Sequence, residues 1–140
     1  MAHAAERLSG EMAAGVAAVR AASELCRAAP GQLLAGHTLT KGDASPVTIA
    51  DFAAQAVVCA ELTDSLGSIE MIGEEDSNDL RSADAVEVLD AVVALAGAQR
   101  RDPVSAGTVL DWISVGSSAR TAERYWTLDP IDGTKGFLRG

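Results

Sequence analysis

Aromatic residues are nearly missing: two Trp, two Phe and one Tyr in 140 residues. A core must then be filled by Ala, Val, Leu and Ile, which favours closely packed helices. Cysteine is equally sparse. Two residues, Cys26 and Cys59, cannot form a disulfide framework. Each lies in an alanine-rich helical segment and reads as a small core residue, which suits a reducing compartment. Positive charge is short too, with 11 Lys and Arg against 20 Asp and Glu, a net charge of −9. That balance argues against nucleic acid or an anionic membrane surface as a partner, because polyphosphates are held by Lys and Arg. No apolar run approaches the roughly 20 residues needed to span a bilayer. Glu6 and Glu11 interrupt the N-terminal alanines, against a secretory or transit signal. A cytoplasmic protein is the default expectation.

What the chain does have is enough apolar content, 48%, for one domain with a real core. Leu8, Met12, Val16, Val19 and Leu25 recur at helical intervals between about Ala4 and Ala28, and are expected to be the packing face of a first helix. Ala29-Pro30-Gly31 ends it. Gly36 to Pro46 is polar and loop-like, followed by a second helix from Val47 to Leu66, entered around Thr48. Ile69 to Ile72 alternates like a strand and runs into Gly73-Glu74-Glu75-Asp76. Ser82 is the expected N-cap of a third helix through Val86, Leu89, Val93 and Leu95. A short helix from about Thr108 to Val115 and a strand from Tyr125 to Leu128 complete a mixed α and β domain.

Acidic residues gather in three separate places. Asp129-Pro130-Ile131-Asp132-Gly133-Thr134 sets two carboxylates three residues apart on a Pro/Gly-shaped turn, with a hydroxyl two residues on. Such a segment is an ordinary β-turn by composition. It is equally a way to aim two carboxylates and the Ile131 carbonyl at a hard cation, since Mg²⁺ takes one or two carboxylates, waters and substrate phosphate. The Gly133 and Thr134 amides could then face a phosphate oxygen. Glu74-Glu75-Asp76 is either a solvated loop or a ligand group at a strand end, where sites of α/β proteins collect. Thr48 and Asp51 have the spacing of an N-cap and its N3 partner, which leaves Asp51 able to project from the first helical turn. Spacing along the chain does not show whether the three groups meet.

These segments, in this order, resemble the lithium-sensitive, Mg²⁺-dependent phosphatases of the inositol monophosphatase superfamily. Within it they look most like the 3′(2′),5′-bisphosphate nucleotidases. Lys41 to Asp51, Gly73-Glu74-Glu75-Asp76 and Trp126 to Gly140 carry the likeness, and Thr134-Lys135-Gly136-Phe137 is the branch-specific part. The resemblance implies a layered α/β sandwich holding two or three Mg²⁺ ions. Glu74, Asp129 and the Ile131 carbonyl would bind one ion, Asp129 and Asp132 a second, and Asp51 with Glu74 a third. Asp51 and Thr134, with Glu74 assisting, would activate the attacking water, and Gly133 with Thr134 would meet the substrate phosphate. The implied reaction removes the 3′-phosphate of adenosine 3′,5′-bisphosphate to give AMP, with the sulfated analogue as a second substrate.

Members of that branch continue past this signature into further strands. Residues 1–140 are therefore expected to be the N-terminal, metal-binding part, lacking the nucleotide-binding remainder and inactive alone. Two further readings stand beside this one. The first is an inositol monophosphatase, against which Lys135-Gly136 argues. The second is a non-catalytic truncated product that pairs with a full-length relative or fails to fold stably, its exposed sheet edge favouring self-association. His3 and His37 are expected to be surface residues, because Mg²⁺ prefers oxygen.

Overall fold

A computed structural model of the chain describes residues 2–29, 38–40 and 46–133. Helix α1 covers Ala2–Ala28, α2 Ile49–Leu66, α3 Val86–Arg100 and α4 Ala106–Ser114. The strands are β1 (Thr38–Thr40), β2 (Pro46–Thr48), β3 (Met71–Gly73) and β4 (Trp126–Leu128). Strands β1 and β2 pair antiparallel, where a loop was expected from composition. Strands β3 and β4 pair in parallel. A parallel pair needs a crossover, here supplied by two 3₁₀ turns, α3 and α4. This is the helical, layered α/β arrangement expected from the sequence.

Helix α2 is the centre of the molecule, with every residue from Ile49 to Cys59 buried. Its Phe52, Ala53, Ala56 and Val57 pack with Val88, Val92 and Ala96 of α3 and Val109, Leu110 and Ile113 of α4. Another side of it carries Ala54, Val58 and Leu62 against Ala14, Ala18 and Ala22 of α1 and Met71 of β3. Alanine on both helices lets their backbones approach closely, which is how a chain poor in aromatics still fills its interior.

That contact corrects one expectation. The large apolar residues of α1 were read as its packing face, yet Leu8, Met12, Val16 and Val19 are all more than half exposed. Only Leu25 of that stripe is buried. The helix presents its alanines inward, because small side chains permit the tight α1–α2 approach that Val or Met would prevent.

Smaller differences have local causes. Ser82 stands ahead of the 3₁₀ turn Ala83–Ala85, and α3 begins only at Val86. Helix α4 starts at Ala106 behind Ser105, whose hydroxyl accepts the Thr108 amide hydrogen at 3.1 Å. Helix α2 begins at Ile49, later than the expected Val47, which lies in β2; Thr48 directly precedes the helix and Asp51 is its third residue. His3 lies on the surface, 3.6 Å from Glu6. Lys41 to Ser45, His37 and Thr134 to Gly140 lie outside the described residues.

Candidate metal and phosphate site

The register of the parallel pair decides where two of the carboxylates go. Gly73 lies opposite Leu128, and the Glu74 amide donates to the Leu128 carbonyl at 3.1 Å. Glu74 and Asp129 are therefore the next residues on two adjacent strands that run the same way. Both lie at the carboxyl ends of those strands, and both are exposed. Parallel strands deliver such residues side by side, which explains why sites of open α/β sheets collect there. Ile131 is half-buried, Asp132 is exposed, and Gly133 takes a left-handed φ of +72°. A left-handed residue right after Asp132 turns the chain sharply, and glycine adopts it without a Cβ clash.

Asp51 lies in the first turn of α2. It is 2% exposed. Its charge is felt at the end of α1, where burial first and Asp51 second push the Cys26 thiol above its ordinary value. One turn further along α2, Gln55 is fully buried. Its Nε2 donates to the Glu75 carbonyl at 2.7 Å, and its Oε1 accepts the Glu75 amide hydrogen at 2.9 Å. The helix carrying Asp51 is thereby tied to the residue after Glu74. Sequence reasoning missed Gln55. The available signal was one amide in an otherwise apolar run from Phe52 to Ala60, four residues after an acid.

The acidic run itself divides into three jobs. Glu74 is exposed, Glu75 is buried with its backbone held by Gln55, and Asp76 accepts the Asn78 amide hydrogen at 2.9 Å to start a 3₁₀ turn. A second acid outside the run aligns the strands. Glu70 accepts from the amides of Thr121 and Ala122, each at 2.9 Å, and from the Thr121 hydroxyl. These bonds hold its carboxyl below the usual range, with the Ala122 amide as the largest cause. They pin the connector that delivers β4, and Arg124 adds an ion pair to Glu11 of α1.

The donor set fits a hard cation: it is all oxygen, and one or two carboxylates suffice for Mg²⁺ when water and phosphate complete the shell. Among the described residues no three His, Cys, Asp or Glu side chains form a metal-sized cluster. Thr134, expected beside the attacking water, lies outside those residues. The large groove of about 1420 Å³ lies elsewhere, between α1 and β4, and is lined by residues such as Met12, Val16, Tyr125 and Trp126. None of Asp51, Glu74, Asp129 or Asp132 lines it.

The chain is similar to known proteins. The rice 3′(2′),5′-bisphosphate nucleotidase is 38% identical over 94% of this chain and 40% of its own length. The enzyme of the same name in Schizosaccharomyces pombe is 42% identical over 89% and 39%. The 3′(2′),5′-bisphosphate nucleotidase 1 of Candida albicans is 36% identical over 100% and 42%. The chain thus spans about two fifths of the length of the curated relatives it matches. The sequence pattern of the inositol monophosphatase family matches residues 9–140. With the match running through all three acidic segments, the chain belongs to the inositol monophosphatase family.

Proposed function

We propose that this chain supplies the metal-binding carboxylates of a Mg²⁺-dependent phosphatase. Its substrate is the 3′-phosphate of a nucleoside 3′,5′-bisphosphate, with adenosine 3′,5′-bisphosphate giving AMP and phosphate, and the 3′-phosphate of 3′-phosphoadenylyl sulfate a further one. The observation that carries the reading is the β3–β4 register, which makes Glu74 and Asp129 neighbours at the same end of a parallel pair. The names of the relatives support the substrate class.

In this reading Glu74, Asp129, Asp132, the Ile131 carbonyl and Asp51 hold two or three Mg²⁺ ions. Bound Mg²⁺ supplies positive charge beside the phosphate and lowers the pKa of a nearby water. The residues do the rest. Asp51, fixed on the rigid first turn of α2, takes the proton of the attacking water, with Thr134 orienting that water by its hydroxyl. The Gly133 and Thr134 amides donate to a phosphate oxygen, where charge accumulates during in-line displacement. Net negative charge is consistent with a site that relies on cations to attract phosphate.

Metal binding is the property expected of these 140 residues, and hydrolysis is expected of a protein with the relatives' full length. Mn²⁺ titration followed by electron paramagnetic resonance should show binding that Asp129→Asn removes. Retained binding in that variant would exclude Asp129 as a ligand. Where phosphate release is measured, adenosine 3′,5′-bisphosphate should exceed inositol 1-phosphate, and the reverse order would favour the inositol phosphatase reading.

Two accessory readings have their own support. The exposed stripe Leu8, Met12, Val16 and Val19 favours self-association; sedimentation at rising concentration should show it, and Val16→Ser should reduce it. The free thiols Cys26 and Cys59 favour a cytoplasmic location.

A further inference from the structure

We propose that Gln55 is the positioning residue of the candidate metal site, setting the Glu74 end of β3 against the Asp51 turn of α2. The inference rests on the metal-binding reading above and adds to it a residue that is not itself a ligand.

A fully buried amide costs several kcal/mol unless its donors and acceptor are satisfied. Gln55 satisfies them in one particular way. Oε1 accepts the Glu75 amide hydrogen and Nε2 donates to the Glu75 carbonyl, so the side chain pairs with that residue as a neighbouring strand would. The second Nε2 hydrogen goes to the Ile113 carbonyl at the end of α4, at 3.2 Å. These partners also orient the amide, because two carbonyls need donors and one N–H needs an acceptor.

Room for this contact is made by two glycines. A Cβ on Gly73 would lie 2.5 Å from Gln55 Oε1, and one on Gly116 would lie 2.6 Å from Nε2. Real Cβ atoms do not approach so closely, so three positions far apart in sequence act as one device. Gly116 also accepts the Gly73 amide hydrogen at 2.7 Å, which holds the free side of β3 against the same amide.

The bonds connect the carboxylates in series. Asp51 and Gln55 are four apart on α2 and share a face, about 6 Å apart along the axis. Gln55 grips Glu75. The preceding residue, Glu74, is hydrogen-bonded to Leu128, and Asp129 follows. A leucine or methionine at position 55 would fill the core equally well but leave the β3 end free to shift, and ligand shells a fraction of an ångström out of place lose affinity.

The test uses the full chain with Mn²⁺ as probe, and hydrogen exchange at the Glu75 amide as a second readout. Gln55→Met should weaken Mn²⁺ binding about tenfold or more and speed exchange of that amide selectively. Val92→Ala, a core truncation between α2 and α3 remote from the amide, should lower stability while leaving Mn²⁺ affinity unchanged. Gly73→Ala, which crowds the amide from the other side, should repeat the loss of affinity and serves if Gln55→Met does not fold. Wild-type affinity in Gln55→Met or Gly73→Ala, with binding still lost in Asp129→Asn, would overturn the positioning role and leave the metal reading standing. No Mn²⁺ binding by the wild type would overturn both.

Discussion

Cys59 shows how far burial alone moves a side chain's chemistry. It is fully buried between α2 and β3, with its Sγ 3.4 Å from the Met71 sulfur. Burial pushes the thiol from an ordinary value of 9.0 up to about 12. The folded state then holds the proton where the unfolded chain has lost it. Stability from this group is complete below pH 9 and falls as pH rises toward 12, with a limiting slope of about 1.4 kcal/mol per pH unit. Urea denaturation between pH 8 and 10.5 should show the decline, and Cys59→Ala should flatten it. An unchanged slope in the variant would assign the effect to other groups. Both cysteines were expected to be small core residues; Cys59 is one, and Cys26 is half-buried.

Among elements, α1 best separates composition from packing. Its helical extent follows from alanine content and the Pro-Gly break, but the face it buries does not follow from hydrophobicity. Periodicity marks where apolar side chains line up, and two stripes line up on this helix: one of Leu, Met and Val, another of Ala14, Ala18 and Ala22. Distance of approach to α2 selects the second. Ala18 is fully buried against α2, so Ala18→Leu should overpack the contact and cost about 1–3 kcal/mol. Val16→Ser, on the exposed stripe, should change stability by less than about 0.5 kcal/mol. Thermal melting of the two variants checks the order, and a larger loss from Val16→Ser would place the stripe in a buried contact.

For the whole molecule the decisive quantity is charge. Net charge is −9, and the exposed Glu74 and Asp129 follow directly on the paired residues Gly73 and Leu128, so a bound cation would offset negative charge as well as add contacts. Mg²⁺ at ten times its dissociation constant should add about 1.4 kcal/mol, close to 4 °C in melting temperature for a domain of this size. Asp129→Asn should lose that gain and, by lowering the net negative charge, melt no lower than wild type without Mg²⁺. Differential scanning calorimetry with and without Mg²⁺ gives both numbers. An equal Mg²⁺ shift in the variant would mean that the ion acts elsewhere.

The sequence by itself determined where the helices lie, the strand running into Gly73 and the identity of the acidic segments. Each is written in contiguous residues: a helical period, a Pro/Gly turn, a motif. Tertiary structure alone decided that β3 and β4 are parallel neighbours, which makes Glu74 and Asp129 adjacent although 55 positions separate them. It also decided which stripe of α1 faces inward, which of three successive acids is buried, and that Gln55 needs glycine at 73 and 116. These outcomes depend on how closely backbones approach across the core, a quantity that no local pattern of side chains encodes.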